Sequence, residues 1–171
     1  MKYKLFSLLL FLLGVNTSYS QIQYSGSVNL EGYYSSKEKL PFWFYSNQRG
    51  RISETTNIAG WVSGKAEYDF NQNVSLELEG GLLYQDAFSN KVFIDELYAD
   101  FDYSWLEVIV GRKQEPEMYN GLSATNENFA WSINSRPIPG ILMRTTKPVN
   151  LTKSKKVNFE VEWGEFFLGK E

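Results

Sequence analysis

The amino-acid sequence predicts an all-β protein, an antiparallel transmembrane β-barrel of the outer-membrane type. Apolar and polar residues alternate with a period of two along several segments, some of which exceed the roughly five to six residues of an ordinary strand. Short turns alternate with long connections between these segments, as in outer-membrane barrels. A secretion signal precedes the first segment, so the chain is expected to leave the cytoplasm.

Residues 1–20 have the pattern of a secretory signal peptide. A basic start is followed by an apolar run over residues 5–15 and by a small-x-small cleavage site that ends at Ser20. The apolar run is shorter than a transmembrane helix requires, and residues 21–171 contain no apolar run of that length. Membrane insertion of the mature chain would therefore be as a β-barrel, and the expected location is the cell outer membrane.

Alternation along the mature chain gives about seven strands. They are predicted over residues 24–34, 58–70, 74–85, 97–103, 106–110, 141–145 and 157–163. In the first of them, Val28 and Leu30 alternate with Asn29 and Glu31. We expect the apolar side to contact lipid, with aromatic girdles near the strand ends, and the polar side to face a wet lumen.

A soluble β-sandwich is the alternative fold, because its strands also alternate, with the apolar side turned inward. Strand length and the secretion signal favour the barrel. Tight turns at residues 71–73 and near Ser104 alternate with long connections over residues 35–57 and 114–140. The long connections are expected on the rim opposite the tight turns or folded into the lumen.

The connection between the fifth and sixth predicted strands is unusually long for a compact domain, and such connections are commonly functional. It is rich in Asn, Ser, Gly and Pro but also contains aromatic residues, among them Tyr119 and Trp131. Arg112, Lys113 and Arg136 bracket it with positive charge. A solvated linker would lack the aromatic residues, so the segment is predicted to be an ordered functional loop.

Two motifs in the long connections point to a family. The first, LPFWFYSNQRGRI at residues 40–52, is an aromatic-rich loop that ends in Asn-x-x-Gly. The second is the stretch 111–141, which has Gly-Arg-Lys at a strand end, Gly-Leu-Ser at residues 121–123 and WSINSRPIP at residues 131–139, with the string Ser-x-Asn-x-Arg-Pro-x-Pro. Both resemble the Wzi family of capsule-assembly outer-membrane proteins. Members of that family are longer barrels that hold capsular polysaccharide or exopolysaccharide at the cell surface. The resemblance implies that residues 21–171 are the N-terminal part of such a barrel.

Arginine and aromatic side chains make the candidate binding site. Arginine suits bidentate capture of a carboxylate on an acidic polysaccharide, and aromatic rings give flat faces on which sugars stack. The candidate polysaccharide-binding residues are Arg136, Trp131, Asn134, Arg112, Lys113, Arg49, Arg51, Trp43 and Tyr119. The alternative is that the basic residues pair with lumenal Glu and Asp and only brace the barrel.

The composition excludes several chemistries. The chain contains no Cys and no His, which removes thiolate metal sites and Ser-His hydrolysis, and its net charge of −3 argues against a nucleic-acid partner. Asp100 and Asp102 share one side of a strand and could form a carboxylate pair, but a polar lumen wall needs such charges in any case and is the favoured explanation. We expect no catalytic residues, no metal site and no cofactor.

The expected function is non-enzymatic binding of surface polysaccharide during capsule or exopolysaccharide assembly, with outer-membrane lipid and the polysaccharide-export machinery as further partners. A general diffusion porin without specific glycan affinity is the alternative. A carboxylate-based outer-membrane enzyme is a third hypothesis.

Overall fold

The computed structural model describes residues 22–117 and 132–168, and over these residues the protein is antiparallel β-sheet with one short helix. The elements are β1 (Ile22–Gly32), α1 (Phe42–Tyr45), β2 (Ile58–Asn71), β3 (Val74–Gln85), β4 (Val92–Tyr103), β5 (Leu106–Arg112), β6 (Gly140–Thr145), β7 (Val149–Asn150), β8 (Asn158–Phe159) and β9 (Glu162–Phe166). The all-β prediction is confirmed. The predicted signal peptide, residues 1–20, lies outside the described residues.

Seven strands form one sheet in the order β1-β2-β3-β4-β5-β6-β9, and every neighbouring pair is antiparallel. The strands β7 and β8 form a separate two-stranded sheet. Over the described residues the large sheet is open, with β1 and β9 at its edges. None of the helices in these ranges is long and apolar enough to cross a membrane.

Two predicted strands differ from the observed ones. The strand predicted over residues 97–103 begins earlier, at Val92, because a β-bulge interrupts its alternation: Asp95 and Glu96 together lie opposite the single residue Gly81. The strand predicted over residues 157–163 is wrong as one element. The strand is interrupted at Glu160 and Val161, where the Val161 amide donates to Thr145 Oγ1 at 3.1 Å, and the residues on either side join different sheets.

The two predicted tight turns and the two predicted long connections lie at opposite ends of the strands. At the turn edge, the Asn73 amide donates to Asn71 Oδ1 at 2.9 Å, and the Ser104 amide donates to the Asn73 carbonyl at 2.7 Å. Ser104 has a left-handed backbone with φ of 58°. The long connections that follow β1 and β5 both start from the opposite ends of the strands. This rim of the sheet is called the loop edge below, and the rim with the tight turns is called the turn edge.

The sheet has one apolar face and one charged face. Large apolar side chains on the apolar face are exposed; Val28 and Leu30, for example, are 81% and 80% exposed. The charged face carries most of the acidic residues of β3, β4 and β5, together with the buried apolar residues. Two small clusters form this core: Leu40, Ile52 and Ala59, and Tyr98, Ile109 and Leu142. Because Leu40 and Ile52 belong to the connection after β1, that connection covers part of the charged face.

Candidate functional site

The two long connections meet at the loop edge. The Asn47 backbone amide donates a hydrogen bond to Asn134 Oδ1. Gly50 has φ of 67°, and a Cβ atom added there would lie 2.9 Å from both Cγ and the backbone nitrogen of Arg136. Only glycine suits this close approach in a left-handed conformation. The sequence-predicted residues Asn134 and Arg136 are thereby held against the connection that follows β1.

Arg51 joins the same connection to β4. Its Nη2 lies 2.7 Å from Asp95 Oδ2 and 3.5 Å from Glu96 Oε2, and its Nε donates to Asp95 Oδ2 at 2.9 Å. The β-bulge allows two successive carboxylates to reach one guanidinium, because it interrupts the usual alternation of sides. The guanidinium carbon also lies 4.9 Å from the ring centroid of Trp61. Arg51 therefore braces the loop against the sheet.

Lys113 is engaged in a second charged cluster on the same face. Its Nζ contacts Asp100 Oδ2, lies 3.8 Å from Glu77 Oε1 and stands 4.9 Å from the ring centroid of Tyr98. Burial lowers the pKa of the Lys113 ammonium, but the hydrogen bond and the charge of Asp100 outweigh burial and raise that pKa above its ordinary value. Lys113 is thus a charged brace at the start of the connection after β5.

The Tyr98 hydroxyl and Gln114 complete the contacts around this cluster. The hydroxyl oxygen lies 2.6 Å from Glu77 Oε1 and 2.8 Å from Glu79 Oε2, and its single proton is donated to one of these carboxylates at a time. The Gln114 backbone amide donates to Glu96 Oε1 at 2.8 Å. The Gln114 bond fixes the start of the long connection onto β4, and the Tyr98 contacts join β4 to β3.

Arg136 and Arg112 line an open cleft of about 560 Å³ at the loop edge, together with Pro137, Pro139 and Phe167. The Arg136 guanidinium carbon lies 4.5 Å from the ring centroid of Phe93. Arg112 Nη1 donates to the Ile94 carbonyl at 3.2 Å. Two guanidinium groups beside proline and aromatic surface can bind an anionic group and an apolar ring face together.

The remaining candidate residues are placed differently. Arg49 has a left-handed backbone with φ of 54°, which is uncommon outside glycine. Trp43 lies on α1, is 73% exposed and borders a different cleft, formed with residues 35–41. Trp131 and Tyr119 lie outside the described residues. The structure therefore brings Asn134, Arg136 and Arg112 together at the loop edge. Arg51 and Lys113 form ion pairs with carboxylates of the sheet. Trp43 lies apart from the Arg112–Arg136 cleft.

Three further residues, which the sequence analysis did not identify, contribute to the charged face or to the cleft at the loop edge. Arg144 pairs with Glu107 and lies 3.0 Å from Glu115 Oε2. Its position opposite Glu107 follows from alternation along β6, so charge pairing across predicted strands could have found it. Phe93 and Phe167 gave no usable signal, because each lies outside the segments that were predicted as strands.

No protein-family model matches the chain, and no curated protein or solved structure matches it.

Proposed function

We propose that this chain forms part of an outer-membrane β-barrel that binds acidic surface polysaccharide during capsule or exopolysaccharide assembly. The observation that carries the proposal is the arrangement of the two faces. The connection after β1 covers part of the charged face, whereas the apolar face of the long strands is exposed. Lipid would cover such an apolar face in a barrel, and the charged face would then line the lumen.

The cleft at the loop edge is the proposed binding site, and the resemblance to the Wzi family supports this choice because Asn134, Arg136, Pro137 and Pro139 belong to the second motif. Arg136 contributes the planar guanidinium for a sugar carboxylate, and Arg112 adds a second positive charge. Pro137 and Pro139 restrict the backbone next to Arg136, so little conformational freedom is left to be lost on binding. Arg51 and Lys113 act as braces that hold the two connections in place.

Substitution of Arg136 in the full-length protein tests the site. Arg136→Lys keeps the charge but loses the fork and the stack on Phe93, so it should weaken retention of an acidic capsular polysaccharide nearly as much as Arg136→Ala, about tenfold. Lys147→Ala, at the exposed turn edge, is the control and should leave retention unchanged. Affinity and melting temperature are measured on all three variants.

Two results would contradict the site. Unchanged affinity with a lowered melting temperature would make Arg136 a brace like Arg51. Equal retention of an acidic polysaccharide and of neutral dextran by the unmodified protein would show that binding does not depend on the sugar carboxylate.

A general diffusion porin is the second candidate, favoured by the density of carboxylates on the charged face, which suits a water-filled lumen. Liposome swelling with sugars of increasing size separates the two functions. A porin admits small sugars according to size alone, and Arg136→Ala would not alter that dependence.

A further inference from the structure

Three carboxylates converge on the charged face beside the turn between β4 and β5. Asp100, Asp102 and Glu107 each offer one oxygen atom, and these atoms all lie within 4.8 Å of one another. Asp102 and Glu107 are direct partners across the β4–β5 pair, and Asp100 lies two residues away on the same side of β4. Like charges directly opposite each other destabilise a sheet, so this cluster requires a compensating positive charge.

The neighbouring basic side chains compensate only part of that charge. Lys113 contacts Oδ2 of Asp100, and Arg144 is shared between Glu107 and Glu115. Asp102 has no salt-bridge partner within residues 22–117 and 132–168. The cluster therefore keeps an excess of negative charge at Asp102.

A second observation concerns the other oxygen of Asp100. Asp100 is only 4% exposed, and its Oδ1 is buried without a hydrogen-bond partner among the described residues. Buried carboxylate oxygens are nearly always satisfied, because an unpaired one loses its hydration and gains nothing in return. A water molecule could bond to this oxygen, but a neutral molecule would leave the repulsion between Asp102 and Glu107 in place.

We propose that Asp100, Asp102 and Glu107 form a binding site for a hard divalent cation, with calcium preferred. Calcium accepts several carboxylate oxygens in irregular arrangements and completes its shell with water, whereas magnesium demands a near-ideal octahedron. Ser75 lies directly opposite Asp102 on β3 and can supply a further oxygen. The site is near the turn edge, whereas the Arg112–Arg136 cleft is at the loop edge, so cation binding does not depend on the proposed glycan function.

Calcium titration of the full-length protein in detergent, after removal of cations with EDTA, tests the site. Isothermal titration calorimetry should give one saturable site with a Kd of about 0.1 to 1 mM, the range of extracellular calcium modules. Asp102→Asn should weaken this binding at least about tenfold, because it removes the carboxylate that no basic group neutralises. Glu79→Gln removes a charged-face carboxylate outside the cluster and should bind calcium as the unmodified protein does.

Thermal unfolding provides a second measurement that does not depend on binding heat. Calcium should raise the melting temperature of the unmodified protein and of Glu79→Gln, because it binds the folded state. Asp102→Asn relieves the repulsion with Glu107, so it should be as stable as the unmodified protein in EDTA or more so, and it should not respond to calcium.

The proposal is overturned if the unmodified protein shows no saturable calcium binding, or if Asp102→Asn binds calcium with unchanged affinity. Magnesium binding as tight as calcium binding would overturn the calcium preference. Arg136→Ala should bind calcium normally, which keeps a failure of the glycan site distinguishable from a failure of this one.

Discussion

The apolar and charged faces are built from alternate residues of the same strands, and β3 allows a direct comparison of neighbours. Leu78 points to the apolar face and is 47% exposed, whereas Glu79 points to the charged face, where its Oε2 lies 2.8 Å from the hydroxyl of the buried Tyr98. A water-soluble antiparallel sheet has the reverse arrangement, with apolar residues in the core and charges in solvent. Over the described residues the sheet leaves apolar side chains exposed and places charges on the covered face, which is the arrangement that the proposed barrel requires.

The charged face is not explained by a gain in stability. Burial of an ion pair costs about as much as the attraction returns, and well-packed apolar residues of similar volume often stabilise a fold more. The Arg51 and Asp95 side chains are nevertheless only 15% and 4% exposed. Such pairs fix geometry, here the position of the loop on the sheet. The charged face therefore provides specific positions for the loop, and the apolar face provides an extended surface with few specific contacts.

Substitution of neighbouring residues by Arg gives the largest expected difference between the faces. Leu78→Arg should destabilise the full-length protein in phospholipid vesicles by about 2–4 kcal/mol, the cost of Arg at a lipid-facing midplane position, and Glu79→Arg by much less. The measurement is reversible denaturant unfolding followed by tryptophan fluorescence.

The size of the Leu78→Arg effect also tests what covers the apolar face. A half-exposed leucine in contact with water could be replaced by Arg at a cost within about 0.5 kcal/mol. Equal destabilisation by Leu78→Arg and Glu79→Arg would contradict the assignment of one face to lipid and the other to a lumen.

Glycine substitutions compare tight and open packing at the two faces. A Cβ at Gly111 would collide with the Leu97 carbonyl oxygen and lie 2.7 Å from Tyr98 Cα, and the φ of 121° is unfavourable for other residues. Gly111→Ala should therefore cost about 1–3 kcal/mol in the free energy of unfolding. Gly64, on the apolar face, has no atom within 4 Å of such a Cβ, so Gly64→Ala is the matched control.

Gly64→Ala should be neutral or stabilising, because alanine loses less backbone entropy than glycine on folding. Both variants are compared by denaturant unfolding under the same conditions. If the two substitutions cost the same, close packing around Gly111 does not limit the choice of residue there.

Period-two alternation was sufficient to predict most of the sheet. It gave most of the residues of β1, β2, β3, β5 and β6, because the alternation of these strands continues over nearly their whole length. It failed where a local feature breaks the period. The bulge at Asp95 and Glu96 interrupts the alternation, so the start of β4 was not predicted. The last predicted strand is two strands, because the residues before and after Val161 belong to different sheets.

The candidate site was predicted by residue type rather than by position. Positive charge around the connection after β5 pointed to Arg112, Lys113 and Arg136, but local sequence could not distinguish a side chain that braces the fold from one that binds a ligand. That distinction depends on which carboxylates lie opposite, and therefore on pairing between distant strands. Lys113 is a brace because the pairing of β4 with β5 brings its ammonium group to Asp100, which is 13 residues away in sequence.

The smallest expected effect concerns Asp86, an acid at the loop edge that is held by backbone amides instead of by a guanidinium. Asp86 Oδ1 accepts hydrogen bonds from the amides of Asn57 at 2.9 Å and Ile58 at 3.1 Å, which joins the start of β2 to the end of β3. Burial raises the pKa of this carboxyl, but the donated hydrogen bonds outweigh burial and lower the pKa below its ordinary value.

A lowered pKa in the folded state stabilises the protein above the unfolded pKa of about 3.9, and the contribution is lost as pH falls through the folded value. Asp86→Asn should therefore reduce the free energy of unfolding by about 1 kcal/mol at pH 7, with the difference from the unmodified protein disappearing in acid. Denaturant unfolding of both proteins from pH 7 down to about pH 2.5 measures this, since that range begins well above the unfolded pKa and extends below it. If the difference stays constant over the whole range, the charge on Asp86 contributes nothing to stability. The protonated side chain would then accept the amide hydrogen bonds as well as the carboxylate does.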